Sequence, residues 1–198
     1  MRRRSVLCIL AVVVVVGLGG CGGARSKRPV ADPHVGQVFF LCCNLRYDPN
    51  KPEITDTIAA RGTLIPFATR VEVRKVTKGS VQFDAPGHPP ITLVYEHGSK
   101  ALPFDRYLSR LFVTEDPRLK LKKVPARQVK LVEKATITPG MSRDQVLLAV
   151  GYPPADQTPS LDAAVWAYGD GAEADAFVVY FDGGRVSSVQ RGRRAGRR

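Results

Sequence analysis

The chain has 198 residues, which is enough for one medium-sized domain or two small ones. Its formal net charge is +12, but three arginines stand at positions 2–4 and five more at positions 191–198. The stretch between residues 37 and 190 is close to neutral, whereas nucleic-acid binding calls for basic residues clustered on a folded face. We therefore exclude nucleic acid as a partner.

The first twenty residues have the pattern of an export signal. Three arginines precede an apolar run at residues 6–16, which is too short to span a bilayer comfortably. The sequence LGGC at residues 18–21 then resembles the lipobox of bacterial lipoproteins. In that family the thiol, here that of Cys21, receives a diacylglycerol, the signal is cut before it, and the new amino end is acylated.

The lipobox resemblance implies a mature protein that sits on a membrane without crossing it, because several acyl chains give stable anchoring. Gly22 rather than aspartate follows Cys21, and by resemblance to enterobacterial lipoproteins this favours the outer membrane. An ordinary signal peptide with a chance cysteine is the alternative. Residues 21–36 are predicted to form a flexible tether.

Residues 37–116 are predicted to form a small β-rich unit. Strand-like runs, either alternating or rich in β-formers, stand at residues 37–43, 70–76, 80–84 and 91–95. Turn signals separate these runs at close spacing, which favours a small antiparallel barrel or curled sheet.

Three further stretches connect these runs to the rest of the chain. We predict a polar loop at residues 44–55 and a lysine-rich connection at residues 115–130, which contains two prolines. Residues 104–112 place apolar side chains on one helical face, so they predict a helix that closes the β unit or packs between two units.

Residues 117–190 are predicted to form a second domain, and its helix is marked at both ends. Ser142 and Gln145 have the spacing of a capping box, and Gly151 is a left-handed stop that two prolines follow. Three strands are then predicted at residues 165–168, 176–181 and 185–189, with a tight turn at 182–184.

This last third of the chain resembles a known family. The segments that carry the resemblance are Gly140-Met141-Ser142, Gln145-Val146, Gly151-Tyr152-Pro153, Trp166-Ala167-Tyr168, Phe181 and Gly184-Arg185-Val186. Their order and spacing are similar to those of the SmpA/OmlA family, the BamE-like domain of bacterial outer-membrane lipoproteins. The family implies an α+β fold with helices packed on a three-stranded antiparallel sheet. It also implies scaffolding or binding rather than catalysis.

Four residues of this domain are candidate contacts for a partner. Met141 and Tyr152 lie at the ends of the predicted helix, where we expect them to be exposed, and Arg185 begins the last strand. Tyr168 shares a strand face with Trp166. The two aromatic residues either present a partner or lipid-headgroup surface or form the core under the helix, and we favour the core for Trp166.

Few residues are suited to chemistry, and we predict no catalytic site, no metal site and no cofactor. Cys42 and Cys43 are adjacent, and in a strand one would point into the core and the other outward. A redox or metal role for this pair is the alternative. His34, His88 and His97 are spaced too irregularly to indicate a metal site.

Together these patterns predict a non-enzymatic, lipid-anchored protein of the outer membrane that faces the periplasm. It would bind another envelope protein and assist outer-membrane protein assembly or envelope integrity. The alternative is an inhibitor-like or small-ligand-binding module, since related two-layer folds include β-lactamase inhibitors. The basic tail at residues 191–198 is either attracted to anionic envelope phosphates or solvated without a partner. The sequence does not indicate an oligomeric state.

Overall fold

A computed structural model describes residues 32–56, 62–96, 101–169 and 176–192. Within these residues the chain forms three α-helices, one 3-10 helix and eleven short strands, so the predicted α+β class is confirmed. The predicted signal, the lipid site Cys21, most of the tether, His97 and the tail after residue 192 lie outside the described residues.

The elements follow one another in a simple order. The strands are β1 Val38–Leu41, β2 Leu45–Tyr47, β3 Glu53–Thr55, β4 Thr63–Ile65, β5 Arg70–Val76, β6 Ser80–Asp84, β7 Ile91–Val94, β8 Phe112–Val113, β9 Val165–Tyr168, β10 Phe177–Asp182 and β11 Arg185–Arg191. The helices are α1 Phe104–Leu111, α2 Ala126–Glu133 and α3 Arg143–Val150, and the 3-10 helix is Pro117–Leu121.

The larger sheet is a curled sheet of six strands in the order β3-β7-β6-β5-β1-β8. Its neighbours are antiparallel except for β3 and β7, which run parallel with Ile54 opposite Leu93. The prediction of a wholly antiparallel barrel-like unit was therefore wrong in this respect. The cause lies in the predicted polar loop at residues 44–55, which contains β2 and β3. Each of these strands has only three residues, too few for a readable alternation.

Alternating side chains of the large sheet form the first core. Val71, Val73, Val81 and Phe83 are at most 1% exposed, as the predicted strands at residues 70–76 and 80–84 require. The predicted helix at residues 104–112 is confirmed as α1, whose Leu108 and Leu111 are buried in the same cluster. Burial of each such side chain stabilises the fold by about 1.5–3 kcal/mol.

The second core lies between α2, α3 and the three-stranded antiparallel sheet β11-β10-β9. The predicted capping box is confirmed: the Ser142 hydroxyl accepts a hydrogen bond from the Gln145 amide, and the Gln145 side chain accepts one from the Ser142 amide. The helix α2 was not predicted from the sequence. Val132 is its one fully buried residue, so its apolar stripe is too thin to stand out among lysines.

The two cores meet around Asn44, which is 4% exposed. Its Nδ2 donates to the carbonyls of Val132 and Ala149, at 2.7 and 3.0 Å, and its Oδ1 accepts from the amide of Phe67 at 2.9 Å. The bonds to Val132 and Ala149 cross the predicted domain boundary between residues 116 and 117, whereas the bond to Phe67 lies within the first predicted unit. The division into two domains stays a prediction, with a buried polar junction between its two parts.

Among the described residues, no helix is both long and apolar enough to cross a bilayer.

Candidate ligand-binding site

Two of the four predicted partner contacts are core residues. Met141 is 0% exposed and Tyr168 is 1% exposed, so the predictions that they contact a partner at the surface were wrong. Met141 precedes the helix cap and lies in the same apolar cluster as Val146, four positions into α3, as in a hydrophobic staple. The Tyr168 ring stacks on Phe177 with centroids 4.6 Å apart, and its hydroxyl donates to the Gly151 carbonyl at 3.1 Å. Burial of Trp166, the favoured interpretation, is confirmed.

The other two candidates remain accessible, at opposite ends of α3. Arg185 is exposed, and its Nη1 donates to the Gly140 carbonyl at 3.0 Å, beside the amino end of the helix. Tyr152 is partly buried at the carboxyl end, with the guanidinium carbon of Arg110 5.2 Å from its ring centroid. The structure therefore does not join the four candidates into one surface.

A cavity of about 280 Å³ lies at the junction of the two cores, near Tyr152. The carboxyl ends of α1, α2 and α3 all reach it. Its apolar wall is formed by side chains from both cores, namely Leu45, Ile54, Leu111, Ile137, Val150 and Phe177. Because residues from seven separate stretches of the chain converge here, the cavity depends on the packing of the two cores against each other.

Four cationic residues line the same cavity from four different elements. They are Arg46 on β2, Arg110 on α1, Lys134 at the end of α2 and Arg191 at the end of β11. Among the residues that the structure describes, one acid, Asp56, also lines the cavity, and its Oδ1 accepts a hydrogen bond from the Glu96 amide at 3.0 Å. Within the described residues, the ion pairs join other charges, so none of the four cations is neutralised by a carboxylate contact.

The carbonyl groups around the cavity have hydrogen-bond donors of their own. Asn44 donates to the carbonyls of Val132 and Ala149, and Tyr168 donates to that of Gly151. The Cys42 amide donates to the Leu111 carbonyl at 2.9 Å. The carbonyl groups at the negative ends of the three helices are thus largely occupied, so they have little capacity left to bind the side-chain cations of the cavity.

Both cysteines of the pair at 42–43 line the cavity, and both are buried free thiols, 8% and 3% exposed. The prediction that one points outward was wrong. The strand β1 ends at Leu41 and the chain bends at Cys42, so the alternation of a strand does not extend to this pair. Burial, with a smaller effect from Cys43, raises the pKa of the Cys42 thiol, which is therefore protonated and unreactive at neutral pH.

Two tyrosines add neutral hydroxyl groups to the cavity wall. Burial raises the pKa of Tyr152 to about 12 and the pKa of Tyr107 well above its ordinary value. Both phenols are therefore uncharged hydrogen-bonding groups at physiological pH.

The cationic residues of the cavity were not singled out from the sequence. They come from positions as far apart as 46 and 191, and no local spacing connects them. Arg191 was assigned to the basic tail, but it ends β11 and pairs with Phe177. The sequence shows that each of these residues is positively charged, but charge alone does not show that they lie together in the fold.

The described histidines have local structural partners. His34 Nδ1 lies 2.7 Å from Asp32 Oδ1, and His88 Nδ1 lies 3.1 Å from the Tyr47 hydroxyl. Within the part of the chain that the structure describes, no three His, Cys, Asp or Glu residues are grouped as metal ligands would be.

Comparison of the chain with models of protein families, with curated proteins and with solved structures found no match. The resemblance to the SmpA/OmlA family therefore rests on the sequence segments quoted for it.

Proposed function

We propose that this chain is a lipid-anchored envelope protein that binds a small ligand in the junction cavity and does not transform it. The observation that carries the proposal is the convergence of apolar and polar side chains from both cores on one partly open cavity. Ligand sites have volumes of about 300–1,000 Å³, and the cavity of about 280 Å³ is close to the lower limit, which suits a small molecule rather than a folded partner.

The exposed surface favours this proposal over docking of a large partner. Among the described residues, large apolar side chains are exposed only singly, at Val38, Leu119 and Val165. Scattered exposed side chains of this kind are normal for a protein surface and do not form an interface patch.

The lipobox supports the location of the protein. Acylation at Cys21 would hold the cavity on the periplasmic face of the outer membrane. The glycine that follows at position 22, where an aspartate is absent, favours the outer membrane over the inner one. Cells fed radiolabelled palmitate should label the protein, and Cys21→Ser should abolish the label and release the protein from membranes. An unlabelled wild-type chain, or a Cys21→Ser chain that stays membrane-bound, would contradict the anchor.

Ligand binding is tested with a panel of small amphipathic compounds and the melting temperature of the protein. Ile137→Trp puts a bulkier indole in place of a partly exposed aliphatic side chain that lines the cavity, and Val165→Trp is the control on an exposed strand position. Compounds that raise the melting temperature of the wild-type protein should also raise that of Val165→Trp. They should leave the melting temperature of Ile137→Trp unchanged. An equal rise in both variants would place binding elsewhere and refute the proposal.

A second candidate function is docking of an envelope protein in outer-membrane protein assembly or envelope integrity. The layer of helices on the sheet β11-β10-β9 agrees with what the BamE-like resemblance implies, and this agreement favours the candidate. Photo-crosslinkers at Arg185 and Tyr152, with Lys51 as an exposed control, should capture an outer-membrane assembly protein from the first two positions alone. Capture of the same proteins from Lys51 would argue against a specific partner.

A further inference from the structure

We infer that the junction cavity selects a small organic anion with an apolar body, of the short-chain carboxylate type. This inference rests on the proposed binding of a small ligand in that cavity. It adds the charge of the ligand and the part of the cavity that recognises it.

Positive charge is concentrated at the junction cavity. Among the described residues, four cations and one acid line the cavity, although residues 37–191 as a whole contain twenty lysines and arginines and seventeen acids. The excess is therefore a local property of the cavity and does not reflect a generally basic body. The positive electrostatic field of these side chains raises the local concentration of anions at the cavity.

The positive charge of these side chains exceeds the opposing charge of the helix dipoles. Each helix carboxyl end contributes about half a negative elementary charge, so three ends contribute about −1.5. The side chains contribute a formal +3, which is the larger quantity. Because donors already occupy the carbonyls of Leu111, Ala149 and Gly151, the opposing field of the helix ends is weaker still.

Arg110 is the residue best placed to bind the anionic group. The guanidinium carbon lies 5.2 Å from the centroid of the Tyr152 ring, a cation–π distance. A guanidinium that uses its face in this way keeps its in-plane N–H groups for a carboxylate, which it can bind in bidentate fashion. Arg46, in contrast, already donates from Nη1 to the Gly62 carbonyl at 3.0 Å.

The apolar wall of the cavity determines the chemistry of the uncharged part of the ligand. Ile54, Leu111 and Ile137 line the cavity beside the cations, so a bare inorganic anion would leave this surface uncovered. An acyl or aryl body of a few carbon atoms would bury it, and burial of apolar area adds affinity in proportion to that area. The site therefore fits a molecule with a charge at one end and a short apolar body.

The experiment compares three probes on the full chain in nanodiscs of zwitterionic lipid, by isothermal titration calorimetry with empty nanodiscs as the blank. Hexanoate carries both features, hexanamide keeps the body without the charge, and acetate keeps the charge with almost no body. We expect hexanoate to bind at least about tenfold more tightly than either of the others, since a charge-assisted hydrogen bond is about twice as strong as a neutral one.

Variants locate the charge recognition. Arg110→Gln should weaken hexanoate about tenfold through the lost charge-assisted contact and leave hexanamide unchanged. Lys134→Gln, at an exposed helix end, should weaken hexanoate less. Lys130→Gln, one turn earlier on α2 and outside the cavity lining, is the matched control and should bind as wild type does. Unchanged melting temperatures confirm that each variant is folded. If Arg110→Gln does not fold, Lys134→Gln still tests the recognition of charge.

Each contrary result has a separate meaning. Equal binding of hexanamide and hexanoate would overturn the inferred anion selectivity and leave small-ligand binding intact. Equal binding of acetate and hexanoate would overturn the inferred recognition of an apolar body. No binding of hexanoate would overturn the inference, while the compound panel with Ile137→Trp and Val165→Trp decides the proposed function independently.

Discussion

Asn44 satisfies three backbone groups that come from three different segments of the chain. Its amide nitrogen reaches the carbonyls of Val132 and Ala149, and its oxygen reaches the amide of Phe67. An apolar residue of the same size would leave the Ala149 carbonyl and the Phe67 amide buried without this partner, whereas the Val132 carbonyl would keep the Ala135 amide, 2.9 Å away. An unsatisfied buried polar group costs about 1–3 kcal/mol, so this side chain stabilises the junction more than an exposed asparagine would.

Asn44→Ala should lower the free energy of unfolding by about 2–4 kcal/mol, because several buried hydrogen bonds are lost at once. Urea unfolding followed by circular dichroism measures the change. Asn50→Ala is the matched control, since Asn50 is exposed and bonds only to Asp48, and it should cost less than about 0.5 kcal/mol. Equal effects of the two substitutions would show that Asn44 does not hold the junction together.

Buried tyrosines make the fold sensitive to alkaline pH. Burial raises the pKa of Tyr152 to about 12, and it raises the pKa values of Tyr107 and Tyr168 well above the ordinary value. An unfolded tyrosine has a pKa of about 10, so above that pH the unfolded chain has lost protons that the folded chain still holds. The free energy of unfolding is therefore unaffected by these groups below about pH 10 and falls as the pH rises from 10 towards 12.

Tyr168→Phe tests this pH dependence, because it removes one of the titrating groups. Urea unfolding between about pH 9 and 11 should show a shallower fall in the variant than in wild type. The variant should also be about 1 kcal/mol less stable at pH 7, since its hydroxyl no longer donates to the Gly151 carbonyl. Parallel pH curves for the two proteins would contradict the role assigned to Tyr168.

At the scale of elements, α3 is fixed by a local signal that the sequence states directly. Ser142 and Gln145 exchange both hydrogen bonds of the capping box, and Gly151 ends the helix with a positive φ of 85°. Ser142→Ala should lower the free energy of unfolding by about 1 kcal/mol.

Ser109→Ala is the matched control for the helix cap, because Ser109 lies exposed within α1 rather than at its end. Alanine has the higher helix propensity, so this substitution should leave the protein as stable or more stable by up to about 0.5 kcal/mol. Thermal unfolding of both variants provides the comparison. A loss of stability in Ser109→Ala equal to that in Ser142→Ala would show that capping is not the cause.

The elements that the sequence predicted are those with a strong local pattern. The strands β5 and β6 alternate over five or more residues, and α1 and α3 have clear apolar faces or caps. The elements that escaped prediction lack such a pattern. The strands β2 and β3 have three residues each, and α2 buries one residue fully, so only tertiary contacts reveal them.

At the scale of the whole molecule, the cavity arises from the meeting of two cores. Local patterns predicted much of each core, but not the way in which α1, α2 and α3 direct their carboxyl ends to one point. Residues separated by more than a hundred positions, such as Arg46 and Arg191, meet there. A single sequence carries no signal for such a meeting, and for that reason the candidate site became visible only in the structure.

The measurement that tests the account most directly is a methyl NMR spectrum of the protein titrated with hexanoate. Binding in the junction cavity predicts shifts of the Ile54, Leu111 and Ile137 methyl signals, which line the cavity, without shifts of Val165 or Val38 on the exposed surface. Shifts confined to Val165 and Val38, with the cavity methyl signals unmoved at saturating hexanoate, would contradict the account.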